Sequence, residues 1–231
     1  GQSSRGLGDV YKRQDLDYLE EKIKLFNPNH SEKFDFPKPH GGGTAYMNTI
    51  DKDGLGVSLI QSNFHGIGSR IGVGSFGFFL HNRGCGFNLD SKHPNYLTPG
   101  RKPLHTLSPT IWSKNGNLEF IAGTRGGRYQ PQLLIQTILP YIRKSDSFEK
   151  IIKEPRWVIE NFSSETISKL RFEKINNEDL EILLKKGHEV EVENKFNKAY
   201  GPISIIYKKN DGNFEGVCDV RVGTEKVFNS F

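Results

Sequence analysis

Two stretches of alternating apolar and polar residues, TAYMNTID and LGVSLIQS, flank Asp53-Gly54. Strand side chains point to opposite faces with a period of two, so this pattern predicts a β-hairpin beginning at Thr44. The same signal returns in PTIWSKNGNLEFIAG, turning at Asn115-Gly116, and in GPISIIYKKNDGNFEGVC, turning over Asp211-Gly212. The apolar segment FGFFLHN predicts one further strand and LRFEK a short one. Elsewhere the period lengthens to that of a helix. PQLLIQTILPYIRK predicts a helix with Pro131 in its first turn and Pro140 as a kink or stop. SFEKIIKEPR predicts a short helix ended before Pro155. NNEDLEILLKKG predicts an amphipathic helix, acidic at its start, lysine-rich at its end and stopped at Gly187. Upstream, Leu16, Leu19, Ile23 and Leu25 or Phe26 recur at helical spacing over residues 15–26, with Asp15 as cap. A polar, proline-containing loop follows and ends in Gly41-Gly42-Gly43. Hairpins alternating with helices predict a layered α/β or α+β protein with antiparallel sheets. No internal repeat is visible.

Residues 1–14 show no period, and DVYKRQ resembles a translated adapter. They are set aside as a non-native scar or a disordered tail, which places the natural start of the protein elsewhere. The remaining composition is that of an ordinary globular protein, and 231 residues suit one or two domains. No apolar run approaches the roughly 20 residues that span a bilayer, and no signal-peptide pattern is present. The net charge is +5 and the pI about 9.1. The cations are dispersed among acids, without a basic block interleaved with aromatics, which argues against a nucleic-acid partner. Cys85 and Cys218 stand far apart, and the seven histidines lack ligand spacing, so neither a disulfide framework nor a metal centre is expected.

Chemistry enters with GGGT, residues 41–44. Three glycines allow backbone conformations closed to other residues. The Thr44 hydroxyl could then attack the carbonyl before it, shift the acyl group from N to O, and be freed by hydrolysis as a new N-terminus. A free N-terminal threonine carries nucleophile and base together, because an α-amine with a pKa near 8 accepts the hydroxyl proton near neutral pH. By itself GGGT reads more readily as a glycine-rich loop feeding a strand. HGIGSRIGVGSFG is also glycine-rich, but it does not follow the G-x-G-x-x-G spacing of a dinucleotide site.

Taken in order, GGGTAYMNTIDKDG, VSLIQSNFHGIGS, LHNRGCGF, HPNYLTPGRKPLHTLSPTI and GTRGG resemble the small subunit of γ-glutamyltransferases, also called γ-glutamyl transpeptidases or glutathione hydrolases. The resemblance runs from Thr44 to the C-terminus, and residues 15–43 resemble the end of the large subunit. EKIIKEPRW and LRFEK also fall where the family has corresponding segments. It implies an α+β fold, the small-subunit half of the four-layer αββα sandwich of N-terminal-nucleophile hydrolases. It implies three regions: residues 1–14 outside the fold, 15–43 as the end of the large subunit with its processing loop, and 44–231 as the catalytic subunit. The proenzyme would cut itself between Gly43 and Thr44. Thr44 would then be the nucleophile and, through its freed amine, the base. Ser62 would orient it, and Gly126 and Gly127 would form the oxyanion hole, where backbone N–H groups before a helix can face developing negative charge.

Ser108-Pro109-Thr110 matches the family's S-P-T string, and His105 and Thr106 occupy the positions of a serine pair that touches the substrate carboxylate. The departures lie where relatives that cleave glutathione hold the substrate ammonium. There the chain reads Phe64, Arg83 and Gly86, with Asn63 one residue displaced. A cation at Arg83 attracts a carboxylate and not an ammonium. Asn63, Arg83, His105 and Thr106 are therefore the substrate-binding candidates. Taken alone, Ser62 also suits a polar strand, Gly126-Gly127 a helix start, Arg83 a structural ion pair and His105 a loop histidine. The implied reaction is hydrolysis or transfer of an acyl group from a small-molecule amide. Glutathione or another γ-glutamyl amide is the first substrate. An acylase of the same fold, as in the related cephalosporin acylases, and a non-catalytic relative are the alternatives. No cofactor is implied. The partner is the large subunit of the same precursor, which includes an arginine that grips the substrate carboxylate. The resemblance leaves a periplasmic and a cytoplasmic location in a bacterium both open.

Overall fold

The computed structural model describes residues 43–144, 146–160, 169–193, 196–223 and 227. The chain divides into two units, Gly1–His40 and Gly41–Phe231, and the described residues belong to the second. The tail over 1–14, the helix expected over 15–26 and the loop up to Gly42 lie outside them.

The first predicted hairpin is β1 (Thr44–Ile50) and β2 (Gly56–Ser62), paired antiparallel. Its turn is set by Asp51, whose carboxylate accepts the N–H groups of Asp53 and Leu55, both at 2.9 Å, and by Gly54 at φ 85°. The other two hairpins pair into one antiparallel sheet. Its strands are β3 (Thr110–Lys114), β4 (Asn117–Thr124), β8 (Ile203–Lys208) and β9 (Phe214–Cys218), in the order β3-β4-β8-β9. Asn115 and Gly116 both take positive φ, 52° and 79°, as a type I′ turn requires.

Strand parity divides this sheet into two faces. Phe120 and Ala122 of β4 and Ile203 and Ile205 of β8 point to one face. There they bury against Leu133, Leu134 and Ile138 of α1 (Gln130–Ile142) and Phe148 of α2 (Phe148–Ile151). Tyr141 stacks on Phe148 with ring centroids 3.9 Å apart, extending the cluster. The hairpin packs on the other face. Tyr46 covers Gly123 so closely that a Cβ there would lie 2.1 Å from the ring. The Asn48 amide donates to the carbonyls of Ser204 (3.2 Å) and Ile121 (3.4 Å), fixing the hairpin on β4 and β8. Ribbon, sheet and helices make three layers. The outer face of the ribbon presents Met47, Val57 and Leu59, all exposed.

A second sheet, which the alternation does not reveal, contains β5 (Trp157–Glu160), β6 (Lys169–Phe172) and β7 (Glu189–Val192). Only β6 coincides with a predicted strand. Four residues are too few to display a period. β6 and β7 run parallel, joined through α3 (Asn177–Lys185), so the expectation of antiparallel sheets throughout is corrected here. Helix α3 starts on an Asn176 cap that accepts the Asp179 N–H at 2.8 Å, and Gly187 takes φ 84° just beyond its end. It buries no residue completely, so its apolar stripe contributes less to the core than its pattern suggests.

Two further expectations change. FGFFLHN is not a strand. It folds back on the glycine-rich segment before it through Ser69 N–H to Leu80 O (2.8 Å), Leu80 N–H to Ile71 O (3.0 Å) and Val73 N–H to Phe78 O (3.0 Å), leaving Phe76, Phe78 and Phe79 exposed. Pro140 does not end α1. It removes one helical bond, but the next turn closes because Arg143 N–H still reaches Leu139 O at 3.0 Å.

The sheets are tied together by four buried charges: Arg156, Glu173, Asp219 and Arg221, each 3–4% exposed. Arg156 Nη2 meets Asp219 Oδ2 at 2.6 Å, and Arg221 Nε donates to Glu173 Oε1 at 2.8 Å. Arg156 Nη1 also donates to the carbonyls of Tyr200 (3.1 Å) and Gly201 (2.8 Å). Burial pushes the Arg156 pKa down to about 10, which still leaves it charged at neutral pH. Removing one member of such a group strands its partners as unpaired buried charges. Asp219→Ala is expected to lower stability by about 3–5 kcal/mol, read as a shift in the denaturant midpoint of the protein with its upstream region intact.

Candidate active site

β1 begins at Thr44, β2 ends at Ser62, and the register sets the two opposite each other. Directly opposed residues project to the same face, so their hydroxyls meet, and Thr44 Oγ1 donates to Ser62 Oγ at 2.7 Å. The Phe64 N–H donates to the same Ser62 oxygen at 3.0 Å. That contact holds Phe64 at φ 76°, a left-handed conformation unusual for an aromatic residue. The Gly43 carbonyl, immediately before Thr44, accepts the Asn63 N–H at 3.3 Å. A Cβ on residue 43 would lie 2.0 Å from Gly66 O, so only glycine fits there without displacement.

A cavity of about 490 Å³ opens beside the hydroxyl pair. Thr44, Ser62, Phe64, His65 and Thr106 line one part of it. The rest comes from the link between β4 and α1, through Arg125, Gly126, Gly127 and Gln130, and from Lys198, Ala199 and Gly201. Gly126 (φ 132°) and Gly127 (φ 57°) take conformations that favour glycine, and open space surrounds the Cβ position of Gly127. Gly201 supports this link from behind, since a Cβ on it would lie 2.1 Å from Arg125 O.

Arg83 sits behind the lining. It is buried, with its guanidinium 4.9 Å from the centre of the Phe64 ring, and its Nη1 donates to Thr106 Oγ1 at 3.3 Å. Desolvation lowers its pKa from the ordinary guanidinium value. His105 is exposed and does not line the cavity, and its Nδ1 accepts the Leu107 N–H at 3.4 Å. The Asn63 side chain is also outside the lining, with its amide donating to Ile67 O at 3.4 Å. Ser108-Pro109-Thr110 acts as a brace. The Ser108 N–H donates to the buried Gln130 Oε1 at 3.1 Å, and the Thr110 hydroxyl to Ala122 O at 2.6 Å. Gly86 lies against Leu104.

The fold therefore gathers Thr44, Ser62, Thr106, Gly126 and Gly127 around one space, keeps Arg83 one contact away, and leaves Asn63 and His105 outside. Arg125, Gln130, Lys198 and Gly201 were not singled out from the sequence. Arg125 stands inside the GTRGG string, and the Gly201-Pro202 pair signals a turn. Nothing local marks Lys198 or Gln130.

The fold is mixed α/β, and Thr44, at the start of its strand, stands at the cavity. The chain belongs to the γ-glutamyltranspeptidase family, whose model matches residues 9–228. It is 35% identical to a glutathione hydrolase-like proenzyme of Bacillus subtilis over 80% of this chain and 35% of that protein. It is 33% identical to an oxamate amidohydrolase proenzyme of Klebsiella pneumoniae over 79% of this chain and 36% of that protein. The chain thus spans about a third of the length of these curated relatives. Among solved structures it resembles a γ-glutamyltranspeptidase of Pseudomonas nitroreducens with a TM-score of 0.66 at 20% identity, covering 80% of this chain and 99% of that one. It resembles a cephalosporin acylase of Bacillus halodurans with a TM-score of 0.67 at 31% identity, covering 76% of this chain and 32% of that one.

The charge around the site has a titration consequence. Local desolvation first, and the nearby Arg83 charge after it, hold the pKa of the exposed His105 ring below its ordinary 6.5. The unfolded chain then binds this proton more readily than the folded one, so protonation of His105 disfavours the native state as pH falls through 6.5. An NMR titration is expected to place His105 below 6.5, and Arg83→Gln to move it upward.

Proposed function

We propose that the protein is an N-terminal-threonine amidohydrolase or acyltransferase that matures by cutting its own chain between Gly43 and Thr44. The observation that carries this reading is the 2.7 Å hydrogen bond between the hydroxyls of Thr44 and Ser62 at the cavity edge. In maturation, Thr44 Oγ attacks the Gly43 carbonyl carbon, the acyl group moves from N to O, and water splits the ester. The products are a carboxylate at Gly43 and a free amine at Thr44. The Asn63 N–H on the Gly43 carbonyl polarises the bond that breaks. The four-layer αββα sandwich belongs to this reading, with a missing helix layer and sheet partners supplied by the large subunit. The exposed Met47, Val57 and Leu59 on the ribbon support such a partner.

In the catalytic cycle the freed amine accepts the Thr44 hydroxyl proton as the oxygen attacks the amide carbonyl of the substrate. The leaving amine takes the proton when the C–N bond breaks, and an acyl–Thr44 ester remains. Water or a second amine then resolves it. Ser62 holds the hydroxyl in place, and Gly126 and Gly127 supply N–H donors to the oxyanion, one such donor being worth about 3–4 kcal/mol.

Glutathione or another γ-glutamyl amide is the first substrate class. A different amide is the second reading, favoured by Arg83, which stands where glutathione-cleaving relatives hold an ammonium. Of the relatives, one is a glutathione hydrolase-like protein and another an oxamate amidohydrolase; oxamate is an amide with a carboxylate and no ammonium.

Intact mass of the protein with its upstream region tests the first step. Wild type is expected to appear as two chains split before Thr44, Thr44→Ala as one, and Gly43→Ala to split slowly because its methyl group collides with Gly66 O. An uncut wild type would move the non-catalytic alternative to the front. Residues 15–231 produced alone are expected to lack a cooperative, monomeric unfolding transition, and observing one would remove the need for the large subunit.

A further inference from the structure

The charge of the cavity is one-sided. Arg125 and Lys198 line it, Arg83 stands directly behind Thr106 and Phe64, and no aspartate or glutamate lines it among the described residues. Arg83 is 4% exposed, and its Nη2 finds no hydrogen-bond partner among the described residues. Buried cations are ordinarily paired with a carboxylate, whereas among the described residues the Arg83 guanidinium has only the Thr106 hydroxyl and the Phe64 ring.

The contact with Thr106 shows what such a cation can do. A hydroxyl has one proton to give and two lone pairs to receive with. Arg83 Nη1 donates to Thr106 Oγ1, which occupies a lone pair and leaves the Thr106 proton to be donated into the cavity. A neighbouring cation polarises that O–H and makes it the stronger donor. The cavity wall at this point therefore offers a donor backed by positive charge. It matches a carboxylate, whereas an ammonium would meet a donor where it needs an acceptor, beside like charges.

We propose that Arg83 and Thr106 form a relay that reads a carboxylate on the acyl group, selecting amides whose acyl part carries a carboxylate and no ammonium. This inference rests on the reading that Thr44 forms the acyl ester. Arg83 acts through Thr106 and is a positioning residue, while Thr106 touches the substrate.

The test uses the matured enzyme with its upstream chain and two anilides, glutaryl-p-nitroanilide and γ-glutamyl-p-nitroanilide, which differ only in the α-ammonium. The glutaryl compound is expected to have the higher kcat/KM by at least about 10-fold, and Thr106→Val to lower that value on the order of 10- to 100-fold, the loss expected for a hydrogen bond to a charged group. The change should fall mainly in KM, with Thr106→Ser restoring most of it. Arg83→Gln should act in the same direction, and the exposed Lys198→Glu should narrow the preference without depending on a buried position. Equal or faster turnover of the γ-glutamyl anilide by a self-cleaving enzyme overturns the relay and leaves the reaction standing. So does a Thr106→Val variant that leaves the rates of both anilides unchanged, or a self-cleaving enzyme that hydrolyses neither. Hydrolysis that survives Thr44→Ala overturns the reaction itself.

Discussion

Four charges buried where the two sheets meet fix one wall of the cavity. Arg156 and Arg221 share Asp219, and Glu173 closes the group by receiving both Arg221 and the Arg156 N–H. The same side chains hold backbone from distant parts of the sequence. Asp219 receives the Ile203 N–H that opens β8, Glu173 receives the Asn197 N–H, and Arg156 binds the carbonyls of Tyr200 and Gly201. Residues 197–201 form one wall of the cavity without belonging to a strand or an α-helix, so their position depends on this group. Buried ion pairs contribute little net stability compared with apolar packing of equal volume, but they tolerate few alternative arrangements. Here they specify where a loop lies.

The opposite wall is set by sheet geometry. An antiparallel register places Thr44 and Ser62 face to face, and no loop is needed to bring their hydroxyls within hydrogen-bond distance. The hairpin in turn is seated by two features that leave no room for variation, the Asn48 amide across two carbonyls and the Tyr46 ring flat on Gly123. Gly43 completes the arrangement, since the chain before Thr44 passes so close to Gly66 that no side chain fits. A reactive group placed on a rigid strand end keeps its geometry better than one carried on a loop.

Between these walls lies a space whose chemistry is uneven. Hydroxyls stand on one side, and glycine backbone and the cations Arg125 and Lys198 on the other. The cations are the feature on which the proposed preference for a carboxylate rests.

Three hairpins, the helices over 130–142 and 177–185, the Thr44–Ser62 opposition and the Gly126-Gly127 link were legible in the sequence. Each rests on local rules: a period of two, turn residues with positive φ, a capping asparagine, a motif whose order survives in one dimension. The strands Trp157–Glu160 and Glu189–Val192 were not legible, because four residues carry no period and pairing across α3 is a non-local choice. FGFFLHN misled for the complementary reason. Its apolar residues suit a strand, but its backbone bonds went to the glycine-rich segment next to it. Asn63 and His105 sat at plausible sequence positions, yet their side chains turn to local backbone, a rotation that no spacing encodes. By itself the sequence determined the three hairpins, two of the helices, the family and the candidate threonine, since these depend on neighbours along the chain. Tertiary structure alone decided that Arg83 stands behind Thr106, that Lys198 reaches the cavity, and that four distant charges meet in the interior, because each depends on packing between segments far apart in sequence.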